Sequence, residues 1–279
     1  GIGISSTIPS QKLEVQGNIL TTQEDNPVAR GYIGTIYDGY DIYVSGKYAY
    51  MLAGSIDTLA IFDVSNPDSI VAKATTTVNL SNPEHLRISG KYAYVTNVNN
   101  SSLCIFDISN PNSIVTKGYT GVGLNYPLGV YVSGKYAYVV DGTRVSLNIF
   151  DISNPDSIVT KGFICPGMNF PGDVYVSGKY AYVIDVPNGV FIFDISNPDS
   201  IAFKSYSGVG LVYPIRIYVS GKYAYVTDQD SNQFCIFDIS YPDSIVTKGN
   251  TGVGLSYPQG VYVSGKYAYV ASSDNNRLA

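Results

Sequence analysis

The sequence predicts an all-β fold, a six-bladed β-propeller built from four-stranded blades of about 44 residues. Three observations carry that expectation. The word SGKYAY starts at Ser45, Ser89, Ser133, Ser177, Ser220 and Ser264, at steps of 44, 44, 44, 43 and 44 residues. A second word, FD[IV]S, keeps the same spacing and places its acid at Asp63, Asp107, Asp151, Asp194 and Asp238. The composition agrees: 26 Tyr against no Trp favours strands, and 28 Gly with 14 Pro supplies turns.

Each period reads as four strands in order. Around residue 130 the first is GVYVSG, whose Ser133-Gly134-Lys135 makes a tight turn into the second, KYAYVVD. A variable loop leads to the third strand, LNIFDIS; NPDS then turns the chain into the fourth, IVTKGF, and a longer loop opens the next copy. Short β-prone runs between Ser-Gly, Asn-Pro and Gly signals are hairpin-connected strands. In KYAYV both tyrosines share one face and Ala shares the other with Lys. Stacked blades bury both faces of each sheet, so the tyrosine face is expected to pack on the small face of its neighbour.

VSGKYAYV…LNIFDISNPDSIVTKG resembles the LVIVD-type repeats of bacterial and archaeal surface proteins, over residues 28–279. The resemblance implies a propeller, usually on exported proteins and usually without assigned catalytic activity. GIGISSTIPSQKLEVQGNI, Gly1 to Ile19, is similar to a stalk segment of phage tail fibres and large bacterial surface proteins, which implies a displayed or virion-associated setting. The expected division is an arm or stalk remnant over 1–16 and the propeller over 17–279.

Counting strands exposes a mismatch at the ends. Six first-and-second pairs accompany only five FD[IV]S strands, whereas Val28–Tyr32 reads as a fourth strand without a blade and Gly17–Thr22 as a third. The last blade is therefore expected to take two strands from Gly260–Ser272 and two from Gly17–Gly34. That closure hides sheet edges that would otherwise pair with other chains. Two alternatives stand beside it: exchange of the same strands between molecules, which would propagate as a filament, and truncation, since NNRLA matches the IDTLA that runs into IFDVS.

Strand direction puts the SGK and NPDS turns on one rim. There the lysines Lys47, Lys91, Lys135, Lys179, Lys222 and Lys266 lie near Asp68, Asp156, Asp199 and Asp243, a wet rim of loose pairs. The other rim carries the loops that differ between copies, and an aromatic before proline at Tyr126, Phe170, Tyr213 and Tyr257, with Asn82 in the equivalent place. Exposed aromatics among Asn, Ser and Gly suit sugars or peptides, so Tyr126, Phe170, Tyr213, Tyr257, Asn82 and Asn125 are the expected ligand-binding residues.

Other chemistries find little support. A net charge of −5 without a basic stripe disfavours nucleic acid, and no apolar run reaches the length of a membrane helix. Cys104 and Cys235 read as small fillers of third strands and Cys165 as part of a turn. His85 follows NPE in what reads as a loop, with no Ser or Cys motif to pair with it. DQDSN lacks the Gly and Glu of a calcium loop, and GVG lacks a dinucleotide site's third Gly and helix. No metal or cofactor is expected, and an enzyme would need acidic or His residues gathered at the channel mouth. The expected function is a non-catalytic extracellular, cell-surface or virion-surface propeller that binds a surface glycan or protein, without membrane insertion. The alternative is a fibre subunit joined through its terminal strands.

Overall fold

The computed structural model describes residues 39–274 and 277–279. They form six antiparallel sheets, five of four strands and one of three, each a simple meander. Blade I holds β1 (Gly39–Ser45), β2 (Tyr48–Ala53), β3 (Thr58–Asp63) and β4 (Val71–Thr76). Blade II holds β5 (Pro83–Ser89), β6 (Tyr92–Asn97), β7 (Ser102–Asn110) and β8 (Ser113–Thr120). Blade III holds β9 (Pro127–Ser133), β10 (Tyr136–Asp141), β11 (Ser146–Asp151) and β12 (Val159–Ile164). Blade IV holds β13 (Pro171–Ser177), β14 (Tyr180–Asp185), β15 (Gly189–Asp194) and β16 (Ala202–Ser207). Blade V holds β17 (Pro214–Ser220), β18 (Tyr223–Asp228), β19 (Gln233–Asp238) and β20 (Val246–Thr251). Blade VI holds β21 (Pro258–Ser264), β22 (Tyr267–Ser272) and β23 (Arg277–Leu278).

The first strands of successive blades neighbour one another and line the axis. The core lies between the blades, as the alternation of side chains requires. Tyr50, Leu52, Leu59 and Ile61 of blade I meet Leu86, Ile88, Ala93 and Phe106 of blade II, and the joints from II to V repeat the pattern. The second tyrosine of KYAY is buried at Tyr50, Tyr94, Tyr138 and Tyr182. The first is half-buried, and the turn lysine sits 5.1–5.3 Å over its ring.

Ion pairing on the SGK rim differs from the sequence expectation. In blades I to IV the turn lysines reach the FD[IV]S acids across their own sheet, as in Lys47–Asp63 at 3.8 Å, Lys135–Asp151 at 3.5 Å and Lys179–Asp194 at 3.3 Å, whereas in blade V Lys248 of β20 takes Asp238. The NPDS acids pair instead with the preceding blade's fourth strand, as Lys117–Asp156, Lys161–Asp199 and Lys204–Asp243. Register sets this choice. Each SGK lysine precedes a tyrosine paired directly with the FD[IV]S Asp, whereas each NPDS turn leans on the previous blade's outer strand. Being exposed and screened by solvent, each pair adds little to stability.

At the ends, β23 pairs with β22 as Ala271↔Leu278, just as Leu52↔Leu59 pairs β2 with β3. The chain's own C-terminus thus begins the third strand of blade VI. The expected closing strands within Gly17–Gly34 and the stalk-like arm lie outside the described residues. Ile42 and Val44 of blade I are 60% and 59% exposed, although the equivalents of Ile42 (Leu86, Val174 and Ile217) and of Val44 (Ile88, Val176 and Val219) are buried. Tyr267, Tyr269 and Leu278 of blade VI are likewise exposed, so both terminal blades present apolar faces.

At Gly118 and Gly162 the outer strand approaches the next blade's NPDS turn so closely that only glycine fits, whereas Ser205, at the same repeat position in blade IV, donates its hydroxyl to the Pro242 carbonyl at 2.6 Å. A Cβ on Gly162 in β12 would stand 2.5 Å from the Pro198 carbonyl oxygen, whereas one on Gly249, at the same repeat position, meets nothing within 4 Å. Gly162→Ala is therefore expected to cost about 1–3 kcal/mol by overpacking, and Gly249→Ala to be close to neutral. Urea unfolding of both variants checks this; equal midpoints would contradict it.

Candidate binding site at the channel mouth

A β-bulge interrupts the mouth end of all six first strands. The register shifts between Gly39 and Asp41, Pro83 and His85, Pro171 and Asp173, Pro214 and Arg216, Pro258 and Val261, and opposite Val139–Asp141 in blade III. A bulge adds one residue and re-aims the side chains beside it. Here it follows the loop proline, which lacks an N–H to give the ladder, and it brings Glu84, His85 and Arg216 to the lining of a channel cavity.

In blades II to VI the loops above are held by the last residue of the second strand. The Asp141 carboxylate accepts the N–H groups of Asn125 at 2.6 Å and Tyr126 at 3.0 Å, and those of Thr143 and Arg144 from the loop that follows. Asp185 does the same for Asn169 and Phe170, and Asp228 for Val212 and Tyr213. Burial pushes the Asp185 carboxyl up, opposed by these N–H donors. In blade VI Ser272 takes the role, accepting from Ser256 N–H at 2.7 Å. The aromatic's own carbonyl accepts from the second-to-third-strand loop, as Gly142 N–H to Tyr126 at 2.9 Å.

Three of the expected site residues converge. Tyr126, Phe170 and Tyr213, 37–38% exposed, line a cavity of ≈ 260 Å³ together with Glu84, His85 and Arg216. Tyr126 and Phe170 have their ring centres 6.1 Å apart. The other three are placed differently. Tyr257 holds a φ of 56°, its N–H donating to Asn232 Oδ1, and does not line this cavity. Asn82, at φ 48°, donates its N–H to Asp57 Oδ1, and the exposed Asn125 accepts from Ser101 Oγ.

Sequence reasoning missed the layer beneath. His85 lies not in a loop but within β5, because the strand starts at Pro83 once the bulge is counted. It is 2% exposed, its Nδ1 stands 3.4 Å from Asp41 Oδ2, and neither ring nitrogen has a hydrogen-bond partner. Asp41 Oδ2 accepts Leu86 N–H from the next blade at 2.8 Å, and Asp173 Oδ2 accepts Ile217 N–H in the same way at 3.1 Å. Arg216 acts electrostatically on Asp41, Glu84 and His85 across the channel. Burial pushes the Asp41 and Glu84 carboxyls up, opposed by Arg216. A usable signal did exist in the sequence. The position four before SGK reads Asp41, His85, Gly129, Asp173, Arg216 and Gly260, a variable letter inside an otherwise repeated strand.

Two residues further along, a stack of tyrosines forms the next layer. Ring centres of Tyr131 and Tyr175, Tyr175 and Tyr218, and Tyr218 and Tyr262 lie 4.7, 5.2 and 5.4 Å apart, and the Arg87 guanidinium sits 5.6 Å over Tyr131. Burial, then the neighbouring phenols, push the Tyr175 hydroxyl up. Among the described residues no three His, Cys, Asp or Glu side chains gather as a metal site.

Burial, aided by Arg216 and Arg87, holds the His85 imidazole well below its ordinary value of 6.5. In acid the unfolded chain takes up a proton that folded His85 refuses. This group therefore lowers stability as pH falls below about 6.5, by about 1.4 kcal/mol per pH unit until its folded pKa is reached. Asp41, Glu84, Arg87 and Arg216 face it and are present in both proteins, so His85→Gln is expected to flatten the pH dependence between about 6.5 and 5. Urea unfolding across that range decides; parallel profiles for the two proteins would contradict it.

The fold is similar to a candidate 6-phosphogluconolactonase from Bacteroides fragilis, with 20% identity over 85% of this chain and 78% of that one and a TM-score of 0.73. It is also similar to a protein from Lactobacillus plantarum, at 10% identity, 89% and 85% coverage and a TM-score of 0.74. A third is the periplasmic gluconolactonase of Pseudomonas aeruginosa, at 14% identity, 77% and 69% coverage and 0.64. At such identities these likenesses carry the fold alone. No curated protein matched significantly. The profile of the LVIVD repeat matches six stretches, 38–78, 81–120, 128–164, 171–206, 215–252 and 257–277, one for each blade. With most of its length and all six blades so matched, the chain belongs to the LVIVD repeat family.

Proposed function

We propose that this protein is a non-catalytic binding propeller, displayed outside the cell or on a virion, that recognises carbohydrate at the channel mouth. The observation that carries the reading is the convergence of Tyr126, Phe170 and Tyr213 over Glu84, His85 and Arg216. Aromatic faces suit the C–H surface of a sugar ring, and a few convergent polar groups fix its orientation. The acidic and His residues that an enzyme would need do gather here. Yet His85, held neutral by burial and two guanidinium groups, is a weak base, and no Ser or Cys among the described residues hydrogen-bonds it. A neutral imidazole is better suited to holding a hydroxyl than to activating one.

Truncating Tyr126, Phe170 and Tyr213 together to Ala removes about 1 kcal/mol per ring, a loss of roughly 100-fold in affinity. A glycan array followed by titration of the best glycan measures it. Unchanged affinity in the triple variant would remove the mouth from consideration.

A fibre subunit is the second reading, favoured by the apolar faces left exposed on blades I and VI at Ile42, Val44, Tyr269 and Leu278. Such faces can join copies head to tail. Light scattering is expected to show growth with concentration that Ile42→Lys with Val44→Glu abolishes, and a monodisperse wild-type ring would oppose this reading.

A further inference from the structure

We propose that the cavity captures the terminal unit of a glycan end-on, as one neutral hexose-sized ring whose hydroxyls bind Glu84, His85 and Arg216. The inference rests on the carbohydrate reading and specifies its ligand. Depth and size come first. Two residues beyond His85 the tyrosine stack from Tyr131 to Tyr262, with Arg87 over Tyr131, forms the next layer, and none of these side chains lines the cavity. Pockets for drug-sized ligands start at about 300 Å³, so a cavity of ≈ 260 Å³ accommodates a single ring. A chain lying across the face would leave the buried layer unused, whereas a terminal ring entering edge-first reaches it.

The polar lining selects charge. His85 is buried at 2% exposure with both ring nitrogens unpartnered, an arrangement costly in an apolar site. A neutral imidazole offers one donor and one acceptor. A sugar hydroxyl, which also donates and accepts, can serve either nitrogen, while a carboxylate can serve only the donor. Glu84 adds an acceptor and Arg216 a donor on the same lining. An acidic sugar would gain Arg216 but meet Glu84, with Asp41 close behind. A cationic sugar would meet Arg216 and Arg87. The neutral ring satisfies both signs, and Tyr126, Phe170 and Tyr213 are left to cover its apolar face.

The test uses the full chain and defined probes: methyl glycosides of glucose, galactose and mannose, the matching uronic acid glycosides, and linear oligosaccharides ending in the preferred hexose. Isothermal titration is expected to give one methyl hexoside an affinity within about threefold of its oligosaccharides, and weaker binding of the uronic acid. Glu84→Gln and His85→Phe are each expected to lose about tenfold or more, as removal of a hydrogen bond to a charged or buried partner does. Because His85→Phe could disturb folding, Glu84→Gln and a ligand lacking one hydroxyl at a time supply the same reading on intact protein. If the triple aromatic variant abolishes binding while Glu84→Gln, His85→Phe and the deoxy ligands change nothing, the mouth binds glycan but end-on capture is wrong. Tighter binding of the uronic acid overturns the neutral ring. If no carbohydrate binds at all, the carbohydrate reading and this inference fall together.

Discussion

Face-to-face locking of neighbouring blades is the interaction from which the other features follow. At the four joints from blade I to blade V, the tyrosine face of KYAY in one sheet packs on the face of the next that carries the FD[IV]S phenylalanine. Phe106, Phe150, Phe193 and Phe237 are fully buried as a result. Sheets locked on both faces leave two kinds of surface, the loop rims and the strand edges nearest the axis. Because the blades converge, the first strands crowd one another and little room is left for side chains there. At the mouth end the bulge re-aims the side chains of the first strands, and a cavity lined by Glu84, His85 and Arg216 lies there.

Charge inside the channel follows from the same packing. Asp41 and Asp173 are committed to the next blade's backbone N–H, which gives two carboxylates a structural task at the axis. Glu84, His85 and Arg216 have no such commitment to a neighbouring strand. The mouth thus divides into groups that hold blades together and groups that are available, although both kinds lie within a few residues of a bulge. On the opposite rim the lysines and acids pair within and between sheets, and that ring is accounted for without a ligand.

The fold was legible because repetition does not depend on any single residue. The spacing of SGKYAY and FD[IV]S gave the number of blades, the strand order within them and the faces of the tyrosines. The mouth aromatics were legible too, since proline after an aromatic recurs at a loop end, and Tyr126, Phe170 and Tyr213 do share a cavity. His85 and Arg216 were not. A bulge shifts the alternation by one residue, and the variable letter four before SGK does not by itself say where its side chain goes, so NPE before His85 reads as loop and Arg216 as one more strand position. The rim lysines were assigned to the wrong acids for a related reason. Which carboxylate a long side chain reaches depends on register and blade spacing, and neither is encoded in the turn itself. Tyr257 differs from its counterparts through a left-handed backbone and an Asn232 contact that no repeat pattern anticipates.

The six equivalent places four residues before each SGK turn form a ring of their own, and they are not equally open to change. Asp41 and Asp173 are tied to the next blade, and Gly129 is pinned because a Cβ there would come 2.7 Å from the Asp173 Cα. Gly260 is different: a Cβ on it would meet only the Ala271 methyl, at 3.9 Å. Gly260 is thus the place on this ring where a side chain is added at least steric cost, since a methyl there makes only an ordinary contact where one on Gly129 strikes the backbone of the next blade.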